Sequence, residues 1–117
     1  IGGLSMGGYH SCHISKQYPE MFNYVGLFSA AINRESGVSE IYENFDQKLD
    51  VQFSKKNRPA LYYIAIGNTD FLYKDNMEFK AKLEAKGYPF VYKETDGGHI
   101  WRNWRIYLDD FAPRLFK

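Results

Sequence analysis

The chain opens Ile1-Gly2-Gly3-Leu4-Ser5-Met6-Gly7-Gly8-Tyr9-His10, and the reading of Ser5 decides the fold. Glycine stands two residues before this serine and two after. Where a strand turns abruptly into a helix, the residue at the tip is crowded from both sides, and glycines at those places relieve the crowding. Such a turn holds a serine hydroxyl out at the end of a sheet, with a helix N-terminus behind it. The N–H of Met6 then has no partner within the helix and faces the place where a negative oxygen would develop. Alone, the five residues from Gly3 to Gly7 are a weak signal, because glycine and serine are both common. A glycine-rich turn that happens to contain serine is the competing account, and the rest of the chain has to separate the two.

Downstream, helix-like and strand-like stretches alternate. Tyr9 to Gln17 reads as a helix with Ile14 and Tyr18 one turn apart, stopped by Pro19. Tyr24 to Ser29 is an apolar run of strand length. Ser39 suits the N-cap of a helix bearing Ile41, Phe45 and Leu49, with Glu40 in its first turn. Pro59 leads into the strand Ala60 to Ile66, and Gly67 ends it. Asp75 and Glu78 resemble a capping box, Gly87 suits a helix end, and Phe90 to Glu94 is a last strand. Ile100, Trp104, Leu108, Phe111 and Leu115 then recur at spacings of three and four, predicting a closing amphipathic helix. This alternation predicts an α/β fold, a mostly parallel sheet flanked by helices, whose ligands bind beyond the carboxyl ends of the strands.

Composition narrows the classes. With 117 residues the chain holds one domain at most, and 44% hydrophobic with 25% charged residues is globular rather than disordered. The net charge is +1 with Lys and Arg scattered, and Lys55-Lys56-Asn57-Arg58 reads as a solvated loop, so no nucleic-acid partner is expected. No apolar run approaches the roughly 18 residues that span a bilayer, so no membrane partner is expected either. Cys12 is the single cysteine and makes neither an internal disulfide nor a zinc site. His10 and His13 have metal-ligand spacing but no third ligand nearby, and surface or packing roles explain them. No metal and no cofactor are expected.

A serine nucleophile needs a base, and the base needs an orienting carboxylate. His99 lies in Asp96-Gly97-Gly98-His99, after one predicted strand and before the last helix. Asp70 lies in Gly67-Asn68-Thr69-Asp70, directly after another. Asp75 is better used as a helix cap, and Asp96 is a turn former too near His99 along the chain. Ser5, Asp70 and His99 thus follow three separate strands in the order Ser, Asp, His of the α/β-hydrolase arrangement. Trp104 suits the core; Trp101, nearer the catalytic loop, suits the core or a pocket wall. Phe71, Leu72 and Tyr73, just beyond Asp70, share that ambiguity.

With these residues in hand, the chain resembles the C-terminal half of an esterase-D-type α/β hydrolase, the group holding feruloyl and acetyl-xylan esterases of carbohydrate esterase family 1. The matching pieces are Gly2 to Gly8, Tyr18-Pro19-Glu20-Met21-Phe22, Gly67 to Asp70, and Gly98-His99-Ile100-Trp101-Arg102-Asn103-Trp104-Arg105. The resemblance implies Ser5 as nucleophile, His99 as general base and acid, Asp70 as its carboxylate, and the Met6 N–H in the oxyanion hole. Trp101, Phe71 and Tyr73 become candidate substrate contacts. It implies a serine carboxylic-ester hydrolase removing feruloyl or acetyl groups from plant cell-wall polysaccharide. Enterochelin-type esterases, S-formylglutathione hydrolases and acyltransferases share such elbows, and a non-catalytic hydrolase-like fragment or carbohydrate-binding module is the alternative outside catalysis. Residues 1–117 are then the C-terminal portion of a single catalytic domain, a partial α/β-hydrolase fold with upstream strands missing. The uncovered sheet flank would invite self-association. A signal peptide would lie upstream, and a secreted or periplasmic location is favoured by resemblance only.

Overall fold

The computed structural model describes residues 1–32 and 44–116. The chain runs β1 (Gly2–Leu4), α1 (Met6–Gln17), β2 (Tyr24–Phe28), α2 (Phe45–Gln52), β3 (Leu61–Gly67), α3 (Tyr73–Lys86), β4 (Val91–Thr95) and α4 (Trp101–Phe111), closing in a 3₁₀ turn at Ala112–Arg114. The strands lie side by side in chain order, and every pairing among the described residues is parallel. Parallel neighbours need crossovers, and crossovers are right-handed, so strands added in one direction send their connecting helices to the same face.

That face is built from Cys12 of α1, Phe45 and Leu49 of α2, and Phe79 and Leu83 of α3, packed on Val25, Leu27, Tyr62 and Ile64. The opposite face takes α4, whose Tyr107 and Phe111 lie on Phe28, Tyr63 and Ala65. β2 and β3 are covered on both sides, which is why they read as unbroken apolar runs. Gly26 makes room for α4: a Cβ there would stand 2.9 Å from the Phe111 ring.

Three expectations need correction. In α1 the buried residues are Gly8, Ser11, Cys12, Ser15 and Lys16, while Ile14 and Tyr18 are exposed. The helix approaches the sheet through small side chains; a Cβ on Gly8 would come within 2.5 Å of the Ala30 Cβ. In α4 the buried residues are Asn103, Tyr107 and Phe111, and the expected Ile100 and Leu108 are exposed. α3 begins at Tyr73 rather than at an Asp75 cap, because the Leu72 N–H donates to Asp70 Oδ1 at 2.9 Å and starts the turn earlier. Gly87 ends α3 with φ +71°, as its freedom in the left-handed region allows. The expected cap Ser39, with Glu40 and Ile41, lies outside the described residues; Phe45 and Leu49 are buried in α2.

Candidate active site

β1 ends at Leu4 and α1 starts at Met6, so Ser5 alone makes the joint. Its φ is +52°, a sparsely populated conformation for a residue with a side chain, costing on the order of 1–3 kcal/mol. Hydrogen bonds on both sides hold it there. The Ser5 N–H donates to Phe28 O at 2.9 Å, and Ser5 O accepts from the N–H groups of Tyr9 and Ala31. The glycines divide their work differently from the sequence reading. A Cβ on Gly3 would lie 2.4 Å from the Gly7 carbonyl, whereas one on Gly7 would meet nothing within 4 Å. Gly3 lets the helix fold back over the strand, and Gly8 lets it sit close on Ala30. Met6, at the first position of α1, has no carbonyl four residues back within the helix to take its N–H.

Asp70 sits in the turn beyond β3. Its N–H donates to Gly67 O, its Oδ1 accepts from Leu72, and its side chain is fully buried. His99 sits beyond β4, and the two loops are stitched together. Asn68 N–H donates to Thr95 O at 2.8 Å and Thr69 N–H to Gly97 O at 3.0 Å. A Cβ on Gly67 would fall 2.2 Å from Gly97 O, so this approach requires glycine. From α4, the buried Asn103 amide donates to Asp96 O at 3.1 Å and Gly98 O at 2.9 Å, clamping the turn before His99.

These restraints bring the three candidates together. His99 Nδ1 stands 2.8 Å from Asp70 Oδ2, and His99 Nε2 stands 2.9 Å from Ser5 Oγ, across 94 residues of chain. A carboxylate only accepts, so Nδ1 carries the proton facing Asp70. In the neutral imidazole Nε2 is then the acceptor, and the Ser5 hydroxyl donates to it. A base is thereby aimed at the serine proton.

Aromatic rings surround the imidazole. Phe71 lies 5.0 Å away at 61°, Trp104 5.0 Å away at 88°, and Trp101 abuts Trp104 at 5.1 Å. Phe71 and Trp101 are about two-thirds exposed, and Met6 and Ile100 add exposed apolar surface nearby. Tyr73 turns elsewhere: its hydroxyl donates to Glu94 at 2.8 Å and its ring packs near Ala31, Ile66 and Leu72. His10 is exposed, and half-buried His13 stacks edgewise on Tyr9 at 4.6 Å. His13 Nδ1 lies 3.0 Å from the buried Lys16 ammonium, which also sits over the Phe45 ring. Burial first, then the charge of Lys16, pushes His13 down to about 3; burial above all pushes Lys16 down to about 8.

Sequence reasoning overlooked three polar residues. Asn103 is one, although its spacing with Tyr107 and Phe111 marks it as inward-facing. Ser29 is buried with φ +47°, and its Oγ accepts from Trp104 Nε1 at 3.1 Å. Asn76 donates to Ala30 O and Leu72 O, tying α3 to the loop after β2.

The family model described as "Putative esterase" matches residues 1–115. An acetyl esterase of Caldicellulosiruptor saccharolyticus is 28% identical, over 92% of this chain and 50% of its own length. A solved ferulic acid esterase superposes with a TM-score of 0.76 at 26% identity, over 97% of this chain and 49% of that one. An S-formylglutathione hydrolase of Staphylococcus aureus gives 0.75 at 22% identity, over 96% and 49%, and speaks for the fold alone. The chain thus spans about half the length of the relatives it matches. A sheet in α/β-hydrolase order and a family model that runs from Ile1 to Leu115 lead to one assignment: the chain belongs to this esterase family.

Proposed function

We propose that this chain carries the catalytic trio of a serine carboxylic-ester hydrolase and forms the C-terminal portion of its single catalytic domain. One observation supports the reading above all others, the continuous hydrogen-bonded row from Ser5 Oγ through His99 to Asp70. Ser5 Oγ attacks the ester carbonyl carbon while His99 Nε2 takes the hydroxyl proton. The carbonyl electrons move onto oxygen, which the Met6 N–H faces; one such donor is worth about 3 kcal/mol. The carbonyl then re-forms, the bond to the alcohol oxygen breaks, and His99 returns the proton to the leaving alcohol. Water, deprotonated by His99 in its turn, attacks the acyl carbon; the bond to Ser5 Oγ then breaks, His99 returns the proton to that oxygen, and the acid departs. Asp70 keeps the imidazole in the tautomer that makes both transfers productive.

For the substrate, we take acetyl or feruloyl esters of cell-wall polysaccharide. The names of the acetyl esterase and ferulic acid esterase relatives support this choice, and so does the exposed aromatic surface of Phe71 and Trp101 beside His99. The test is fluorophosphonate labelling of the folded chain with the adduct located by mass spectrometry, followed by hydrolysis of acetyl and feruloyl esters. The expected adduct is on Ser5 and disappears in Ser5→Ala and His99→Ala. Labelling that survives His99→Ala would remove the histidine from its role. Xylan binding that survives Ser5→Ala, in a folded chain that takes no label, would replace the enzyme reading with a binding module.

A further inference from the structure

The His99 imidazole spends both nitrogens on Asp70 and Ser5, so its orientation depends on what stands beside its ring. The two flanking rings differ in kind. Phe71 is about two-thirds exposed, so that wall faces solvent. Trp104 is half-buried, stands nearly perpendicular to the imidazole, and is backed by Trp101. Its indole N–H also has a fixed partner. Nε1 donates to Ser29 Oγ at 3.1 Å, and this serine is fully buried.

Ser29 is itself firmly rooted. It follows β2 directly, with φ +47°, and its N–H donates to Ala65 O in β3 at 2.8 Å. A half-buried indole N–H needs an acceptor, and only one ring orientation reaches this one. The chain therefore ties the wall behind its base to the strand lying between the one that ends at Ser5 and the one that leads to Asp70.

We propose that Trp104 is a positioning residue for the His99 imidazole and that Ser29 is its anchor. The inference rests on the reading of Ser5, Asp70 and His99 given above, and it assigns neither residue any contact with substrate. With the indole fixed, the imidazole has a firm wall on that side. It stays within reach of both the serine oxygen and the leaving oxygen while the proton changes hands. With the bond removed, the indole adopts other orientations and the Nε2–Oγ alignment loosens.

The test is a double-mutant cycle on the full chain with Ser29→Ala, Trp104→Phe and the pair combined. Each single variant removes the bond without emptying the core, and thermal melting confirms that each stays folded. The rate of fluorophosphonate attack on Ser5 is resolved into its saturating rate and its half-saturating concentration. His99 is followed separately through the proton magnetic resonance of its Nδ1–H. The saturating rate is expected to fall about tenfold in each single variant, with the half-saturating concentration unchanged, as for a small misalignment of reacting groups. The double variant falls no further, because both changes remove the same bond. The Nδ1–H signal broadens in all three.

A saturating rate within twofold of the parent in either single variant would overturn the proposal. So would single effects that multiply in the pair, or a loss confined to the half-saturating concentration. If the parent chain takes no label, the hydrolase reading fails on its own account. The Nδ1–H signal then decides the positioning role, and an unaltered signal in both single variants overturns it.

Discussion

The two faces of the sheet are held by different physics. The face under α1, α2 and α3 is closed mainly by apolar contact, with Phe45, Leu49, Phe79 and Leu83 seated on Val25, Leu27, Tyr62 and Ile64. Its buried directed bonds, such as Gln52 to Ser15 and Asn76 to Ala30 O, lie away from His99. The face under α4 has packing as well, through Tyr107 and Phe111, and it adds directed bonds from Asn103 to the turn before His99 and from Trp104, beside His99, to Ser29 after β2. Apolar packing is tolerant in direction and large in sum, whereas a hydrogen bond is modest in energy and strict in geometry. On this contrast the face under α1, α2 and α3 is expected to govern stability, and the face under α4 alignment. Substitutions on the two should therefore separate melting temperature from rate.

The sharpest separation is expected at Asp70. Asp70→Asn lets Nδ1 face an amide and favours the wrong tautomer, so turnover should fall by about 10⁴. Melting should change far less, and a variant that merely unfolds would discredit this account of the loss. Next comes Phe79→Ala on the opposite face, where a fully buried ring is lost, at a cost of about 3–5 kcal/mol in urea unfolding. The molecules that remain folded should take the fluorophosphonate label at the parent rate. A slowed rate would show that the two faces are not independent.

Asn103→Leu mixes the two effects. It leaves the Asp96 carbonyl without its Asn103 donor and the Gly98 carbonyl with only the Ile100 N–H, costing about 1–3 kcal/mol in stability. It also frees the turn that bears His99, so labelling should slow even under conditions where the variant is fully folded. Unchanged kinetics there would reduce Asn103 to a structural residue.

The smallest expected effect is that of pH on the face under α1, α2 and α3. His13 is held down to about 3, against 6.5 for a free histidine, by burial first and by Lys16, Lys48 and His10 after it. Between those values the unfolded chain binds the proton and the folded chain does not, so stability falls as pH drops below 6.5. The urea midpoint should be lower at pH 5 than at pH 7. His13→Gln should flatten part of that difference, and an unaltered slope would assign it to other groups.

Much of this contrast was legible before any coordinates. β2 and β3 stood out because burial on both faces leaves them no polar positions. Ser5, Asp70 and His99 stood out because each follows a strand. The buried side of α1 was illegible to an apolar-period search, since Gly8, Ser11, Cys12 and Ser15 are chosen for closeness rather than hydrophobicity. The start of α3 was obscured because Asp70 opens the turn that Asp75 appeared fitted to open. Ser29 lies in no motif, Asn103 has no role assigned within the segment Gly98 to Arg105, and their importance lies in which carbonyl or indole they meet. Such pairings join residues 5 to 75 positions apart and leave no local pattern.

The joint at Ser5 also sets an order in time. Its backbone is held by Phe28 and Ala31, close by in the chain, so its strained turn needs only the pairing of β2 with β1 and would form early. His99 lies 94 residues away, the longest side-chain contact described in the molecule, and contacts that close long loops form late. During synthesis, the serine would be cocked well before its base is made. The hydroxyl would stay inert through most of folding, and reactivity would arrive only when α4 docks.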